Sequence, residues 1–262
     1  MAKTERHILE NNALKVEVNA KDLAVNVTVK SSGETLRMAG AQPDDVLIVN
    51  GEKKEWKSFA DGPISMKQKG KTALEARLPA ISLKVDIAIE GPEVVFEMAP
   101  MGAKGGTVAD LLYPRHFLLP RKKDAYATFP LSQGSIIPAT DPTLFHHREG
   151  YMEGVANWIG GFTGETGYIG IAETPDDLYQ AVDNRPDSPA SCFFHWIPSL
   201  GQLKYARRVR FLFQKGLDYV AQAKVYRKYC IKTGLFRSIA DKAKENPNVA
   251  RLRGAPIICS LS

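Results

Sequence analysis

Residues 81–98 read ISLKVDIAIEGPEVVFEM. Ile81, Leu83, Val85, Ile87 and Ile89 recur at every second position, Gly91-Pro92 interrupts them, and Val94, Phe96 and Met98 resume the period. A period of two belongs to a strand with one buried face, and a Gly-Pro break between two such runs is a chain reversal. The same pattern extends upstream. Leu14, Val16 and Val18 alternate with polar residues, and Leu23, Val25, Val27 and Val29 follow after Lys21-Asp22. Val46–Val49 runs into Asn50-Gly51, the pair that a two-residue type I′ hairpin selects, and Lys53–Phe59 returns. Residues 64–69 and 72–78 flank a further turn at Gly70. Successive alternating strands joined by short polar turns predict antiparallel sheets packed face to face.

Downstream the texture changes. Between about residues 100 and 165 glycine, proline and aromatic residues crowd together, as in YPRHFLLP (113–120) and FPLSQGSIIP (129–138). Strands resume at residues 168–173, 191–197 and 205–214. After Gly216 the period becomes helical, with Leu217, Val220, Ala221, Lys224, Val225 and Tyr229 on one face and Gly234 at the stop. Ser238–Lys244 predicts a second short helix ended by Asn246-Pro247, and Ile257, Ile258 and Cys259 predict the start of a buried strand.

Composition fits a folded chain. The 262 residues are 44% hydrophobic and 24% charged, with 21 Gly, 16 Pro and 3 Cys, which excludes intrinsic disorder, a collagen repeat and a disulfide scaffold. That length suits two small domains or one large all-β unit. No apolar run reaches the roughly 18 residues of a membrane helix. The N-terminus MAKTERHILENN lacks a signal-peptide core, which fits a cytoplasmic protein or an exported one after leader removal. The net charge of +6 is scattered over Arg121-Lys122-Lys123, Arg207-Arg208 with Arg210, and residues 224–253, so neither a nucleic-acid nor a membrane partner is expected.

Chemistry is harder to place. His146-His147-Arg148-Glu149 brings two imidazoles and a carboxylate together, but neighbours on an extended segment point to opposite faces. No third ligand at a suitable spacing follows, so no metal and no cofactor are expected. Cys192, Cys230 and Cys259 read as free thiols or small buried apolar groups. Asp176-Asp177 after Thr174-Pro175 reads as a turn or helix start. Phosphate-loop and nucleophile-elbow motifs are absent, and the glycines of residues 154–170 lack dinucleotide spacing. The remaining signal is aromatic: Tyr151, Trp158 and Phe162 among glycines, with His195-Trp196 on a later strand. These five residues are the candidate carbohydrate-binding set, since flat rings stack on sugar C–H faces. Packing in the sandwich core or at a domain interface is the simpler account of the same residues.

Three segments carry a family resemblance: YPRHFLLPRKKDAYATFPLSQGSIIPA (113–139), GYIGIAETPDDLYQAV (167–182) and YVAQAKVYRKYCIKTGLFRSIADKAKENPNVARLRGAPI (219–257). They resemble the N-terminal region of bacterial glycoside hydrolases related to the endo-α-N-acetylgalactosaminidase family. The resemblance implies a mainly β fold, a large antiparallel two-sheet β-supersandwich of galactose-mutarotase-like type, over residues 1–215. It implies that residues 216–262 form a helical linker and the start of an absent (β/α)8 barrel. That family's catalytic carboxylates lie on the barrel, so no catalytic residue transfers to this chain. The expected partners are a glycan or oligosaccharide and the catalytic barrel of the same polypeptide. The implied role is an accessory domain, non-catalytic by itself, contributing to a glycan-binding cleft. Two alternatives stand beside it: a sugar mutarotase drawing a His/Glu pair from His116, His195, Glu165 and Glu173, and a pure binding module.

Overall fold

A computed structural model of the chain describes residues 5–102, 107–130, 134–141, 145–147, 156–184 and 191–255, with side chains at 145–147 and 183–184 left aside. In chain order the strands are β1 (Arg6–Glu10), β2 (Leu14–Asn19), β3 (Val25–Val29), β4 (Thr35–Met38), β5 (Val46–Asn50), β6 (Lys53–Lys57), β7 (Ser65–Lys69), β8 (Ala73–Leu78), β9 (Leu83–Glu90) and β10 (Glu93–Pro100). There follow β11 (Thr107–Leu111), β12 (Phe117–Leu118), β13 (Tyr126–Phe129), β14 (Ser135–Pro138), β15 (Phe145–His147), β16 (Trp158–Phe162), β17 (Thr166–Ala172), β18 (Leu178–Asn184), β19 (Ser191–Trp196) and β20 (Arg207–Lys215). Two helices close the described chain, α1 (Tyr219–Lys232) and α2 (Ile239–Glu245).

The predicted alternation becomes pairing. β9 and β10 are antiparallel partners, with Ile87 opposite Phe96 and Val85 opposite Met98. Leu83, Val85, Ile87, Val94, Phe96 and Met98 all point into the core. Ile81 departs from the pattern: it ends a short 3-10 turn from Pro79, and Ser82 at φ 50° turns the chain into β9. The Asn50-Gly51 hairpin joins β5 to β6, with Gly51 at φ 61°, a left-handed conformation that glycine adopts without penalty.

The strands form three hydrogen-bonded sheets: β1-β2-β3-β4-β12, then β14-β13-β16-β17-β20-β10-β9-β8-β7, and β15-β18-β19-β11-β5-β6. All their pairings are antiparallel. One continuous hydrophobic core draws on all three. Phe211 on the nine-stranded sheet shows how. Its ring lies 5.3 Å from Phe117 of the five-stranded sheet and 6.0 Å from Phe194 of the six-stranded sheet. The nine-stranded sheet is therefore one layer of the expected β-supersandwich, and the two smaller sheets share the other.

YPRHF (113–117) joins those smaller sheets. Alternation sends Tyr113, Arg115 and Phe117 inward, all three fully buried. Arg115 donates to the carbonyls of Ala39 and Asp22 and to Asp45 Oδ2 at 2.9, 2.6 and 3.1 Å. Tyr113 stacks on Phe59 at 4.8 Å and donates its hydroxyl to Leu23 O at 3.0 Å. Burial pushes the Asp45 carboxyl above its ordinary range, although Arg115 and the amides of Phe59 and Gln42 pull the other way. A buried charge holds its place only when paired and hydrogen-bonded, so the motif acts as a structural tie between segments far apart in sequence.

The chain divides into two compact units, Met1–Gln222 and Ala223–Ser262. Helix α1 departs from the apolar-face expectation: its buried side chain is Gln222. Gln222 accepts a hydrogen bond from the Thr128 hydroxyl at 2.5 Å and donates to the carbonyls of Gly161 and Leu217 at 3.2 and 3.0 Å. Gly160 leaves the room for this amide, since a Cβ there would collide with Gln222 and Thr128. In the second unit, Gly234 at φ 76° follows α1, and Ser238 caps α2 by accepting from Asp241 N at 3.1 Å. The stretch 257–259 lies outside the described residues.

Candidate functional site

The five candidate residues do not form one cluster. Tyr151 lies outside the described residues. Trp158 and Phe162 alternate with the core residue Ile159 on β16, so they face away from the core on the nine-stranded sheet. Phe162 packs 5.3 Å from Tyr126, which in turn meets Tyr219 at 6.4 Å. Trp196 is fully buried in the core, its ring 5.9 Å from Phe194. His195, one residue earlier, points the opposite way, onto the outer face of the six-stranded sheet.

The glycines beside these aromatics have a packing role. Gly161 is paired with Tyr168, and Gly170 with Phe211. In each pair the ring lies over the glycine, where a Cβ would strike it. At Gly167 a Cβ would run into the Leu217 carbonyl oxygen. Glycine in a strand interior marks such close approach. Burial raises the Tyr168 phenol well above its ordinary range and also raises the Cys192 thiol, so neither supplies an anion at neutral pH.

The outer face of the six-stranded sheet holds the most reactive arrangement among the described residues. His195 Nε2 is hydrogen-bonded to Asp110 Oδ1. The Tyr179 ring lies 6.5 Å from the imidazole, directly across the β18–β19 pair. Leu112, Ala181 and Phe193 form an apolar pad on this face, with the His116 ring 5.7 Å from Phe193. Asp110 pairs with Leu47 and Leu47 with Trp56, so one row leads across β11 and β5 to an indole that is 49% exposed.

Asp110 reaches this face through a β-bulge. The β11–β5 register shifts between Val108 and Asp110, which lets Val108 and Leu111 both enter the core while Asp110 turns outward. A carboxylate hydrogen-bonded to an imidazole fixes the ring's orientation. With flanking aromatic surface, the arrangement can hydrogen-bond hydroxyls and stack a flat apolar face. Asp110, Tyr179 and Trp56 were not among the sequence candidates. Trp56 was visible as the aromatic of a returning hairpin strand, whereas the bulge that aims Asp110 had no sequence signal.

The other titratable groups are otherwise occupied. Glu173 accepts from Arg208 at 2.6 Å and Arg210 at 3.0 Å, in a cross-strand network that also includes Glu90, Glu93 and Glu97. Burial pushes Glu173 up, but the two arginines outweigh it and hold the carboxyl below its usual range. Glu165 pairs with Lys215 at 3.1 Å. The Asp176-Asp177 pair forms a turn: Asp177, at φ 61°, accepts from Ser199 N and binds the buried Arg207 at 2.9 Å. The structure thus gives His195 an aspartate partner and commits Glu165 and Glu173 to cations. The His146-His147 side chains lie outside the described set. Among the described residues no group of three potential metal ligands converges, and no helix is long and apolar enough to cross a membrane.

No protein-family model matches the sequence, and no curated protein does either. Solved structures do match the fold. The α-N-acetylgalactosaminidase NagBb from Bifidobacterium bifidum, in its Gal-NHAc-DNJ complex, aligns with a TM-score of 0.77 at 21% identity, covering 92% of this chain and 41% of that one. Slr1438 from Synechocystis aligns with a TM-score of 0.52 at 14% identity over 81% of this chain and 96% of that one. A galactose mutarotase-like protein from Lactobacillus casei reaches a TM-score of 0.46 at 10% identity over 80% of this chain, too weak a likeness to carry weight. The chain therefore spans about two-fifths of the length of NagBb and shares the fold of that part.

Proposed function

We propose that this chain is the accessory β-supersandwich of a glycoside hydrolase, without hydrolytic activity of its own, and that its six-stranded sheet presents a saccharide-contacting face. The observation that supports it most is the NagBb likeness, which accounts for nearly all of this chain with less than half of that enzyme. In this reading residues 1–215 are the sandwich and residues 216–262 the connector toward a catalytic (β/α)8 barrel. His195, Asp110, Tyr179 and Trp56 supply hydrogen bonds and aromatic surface of the kind that saccharide sites use.

The test is an assay of the purified chain on aryl α-N-acetylgalactosaminides and other aryl glycosides. The expected result is release at the buffer rate. Hydrolysis that scales with protein concentration and saturates with substrate rejects the reading. Glycan-array binding that falls on Trp56→Ala, with the melting temperature unchanged, supports the saccharide face. The His195–Asp110 pair also favours a second reading, a sugar isomerase acting by proton transfer at the anomeric centre. Polarimetry on freshly dissolved α-galactose and α-glucose separates the two, because an accessory domain leaves mutarotation at the buffer rate.

A further inference from the structure

A polar concavity lies apart from the His195 face, at the β4–β12 edge of the five-stranded sheet beside the β16–β17 turn. It is a cleft of about 500 Å3, within the range of small-ligand sites. Leu118 and Pro120 give it apolar surface, and Arg37, Lys122, Glu34 and Thr163 supply its polar groups. The strand pattern turns Arg37 outward from β4, directly opposite Leu118. Among the described residues its guanidinium has no partner.

The remaining groups are held in place. Thr163 donates its hydroxyl to Glu34 Oε2 at 2.6 Å and accepts from the amide of Thr166 at 3.0 Å. Lys122 stands 3.9 Å from Glu34 Oε1, its stem against Gly164, where a Cβ would come within 3.3 Å of Lys122 Cε. Burial raises Glu34, but Thr163, Thr166 and Lys122 outweigh it, so the carboxyl stays ionised at neutral pH. Lys122 lies within ion-pair reach of Glu34, and Arg37 lines the same cleft without a carboxylate of its own among the described residues. An unpaired guanidinium presents a planar fork matched to a carboxylate or sulfate. Glu34 Oε1 retains acceptor capacity for hydroxyl groups, which sulfate lacks.

We propose that this cleft binds a saccharide unit bearing a carboxylate or sulfate, with Arg37 and Lys122 on the anion and Glu34 on ring hydroxyls. The saccharide part rests on the glycoside hydrolase reading; the anion part stands on the cleft alone.

The experiment is a calorimetric titration of the whole chain with N-acetylneuraminic acid, glucuronic acid and galactose 6-sulfate. Galactose and N-acetylgalactosamine serve as neutral counterparts, and inorganic sulfate as the bare anion. At least one acidic sugar is expected to bind saturably, tenfold or more tightly than the neutral sugars, and more weakly as salt rises. The sugar that binds reports whether carboxylate or sulfate is the source of the charge. Arg37→Met is expected to weaken it at least tenfold and Lys122→Ala several-fold, both with unchanged melting temperature. Equal affinity for neutral sugars, indifference to Arg37→Met, binding of inorganic sulfate alone, or no binding overturns the proposal. Hydrolysis of aryl glycosides by the same preparation would strike the accessory-domain reading instead, so the two failures are distinguishable.

Discussion

Within the six-stranded sheet, neighbours on β19 meet opposite environments. Cys192, Phe194 and Trp196 enter the common core, whereas Phe193 and His195 face outward. Inside, polar atoms are either bound into a rigid set, as Arg115 is, or left without a partner among the described residues, as the Trp196 indole nitrogen is. Outside, the polar atoms converge on one pair and remain near the surface, the His195 side chain being 16% exposed. The inner face joins the common core, and the outer one combines a small apolar pad with a polar pair near the surface. Burial alone does not mark function in this molecule: the fully buried Arg115 and Trp196 both pack into the shared core.

That contrast can be broken by mutation. The largest effect is expected for Arg115→Met, which strands the Asp45 carboxylate; removing one partner of a buried pair costs about 3–5 kcal/mol. Chemical denaturation measures it, and adding Asp45→Asn should return part of the loss. Trp196→Ala, which empties a large core site, is expected to cost a similar ~3–5 kcal/mol, and a loss below ~1 kcal/mol would show that the inner face is not the stabilising one. Gly170→Ala places a methyl against the Phe211 ring and should cost about 1–3 kcal/mol, as core overpacking does, with the same denaturation readout.

Smaller effects sharpen the comparison on the nine-stranded sheet and the outer face. The folded-state pKa of Glu173 is lowered, so its contribution is complete above the ordinary glutamate range and fades as pH falls through the lowered value. The melting-temperature gap between the native chain and Glu173→Gln should therefore be widest near neutral pH and close under acid. A gap that widens under acid contradicts the ion-pair account. His195→Gln should shift stability least, by less than about 1 kcal/mol, while reducing any glycan binding at that face. A large stability loss there would move His195 into the structural class.

The sheet layers were legible because alternation reports directly on burial: Leu83, Val85, Ile87, Val94, Phe96 and Met98 sit where their period places them. The same rule separates His195 from Trp196, since adjacent residues on one strand cannot share a face. What it does not disclose is which strands become neighbours. The ring-over-glycine pairs Tyr168–Gly161 and Phe211–Gly170 require the register, so close packing accounts for those two glycines, while Trp158 and Phe162 face away from the core. Likewise Gln222 broke the apolar-face expectation for α1, because its burial depends on the space above Gly160. The His195–Asp110 bond joins residues 85 positions apart, and its geometry follows from tertiary pairing that no local pattern encodes.

The bulge in β11 has a consequence for insertions and deletions. Val108 and Leu111 both enter the core with two residues between them, and Ala109 is the one that β5 leaves unmatched. Removing Ala109 would leave a single residue between the two core positions and restore plain alternation, with Asp110 the one residue left to face outward. Every β5 pairing of the strand could then persist, with Asp110 still opposite Leu47 and Leu111 still opposite Trp196. The bulge is thus a point at which β11 can lose a residue while the carboxylate keeps its place beside β19.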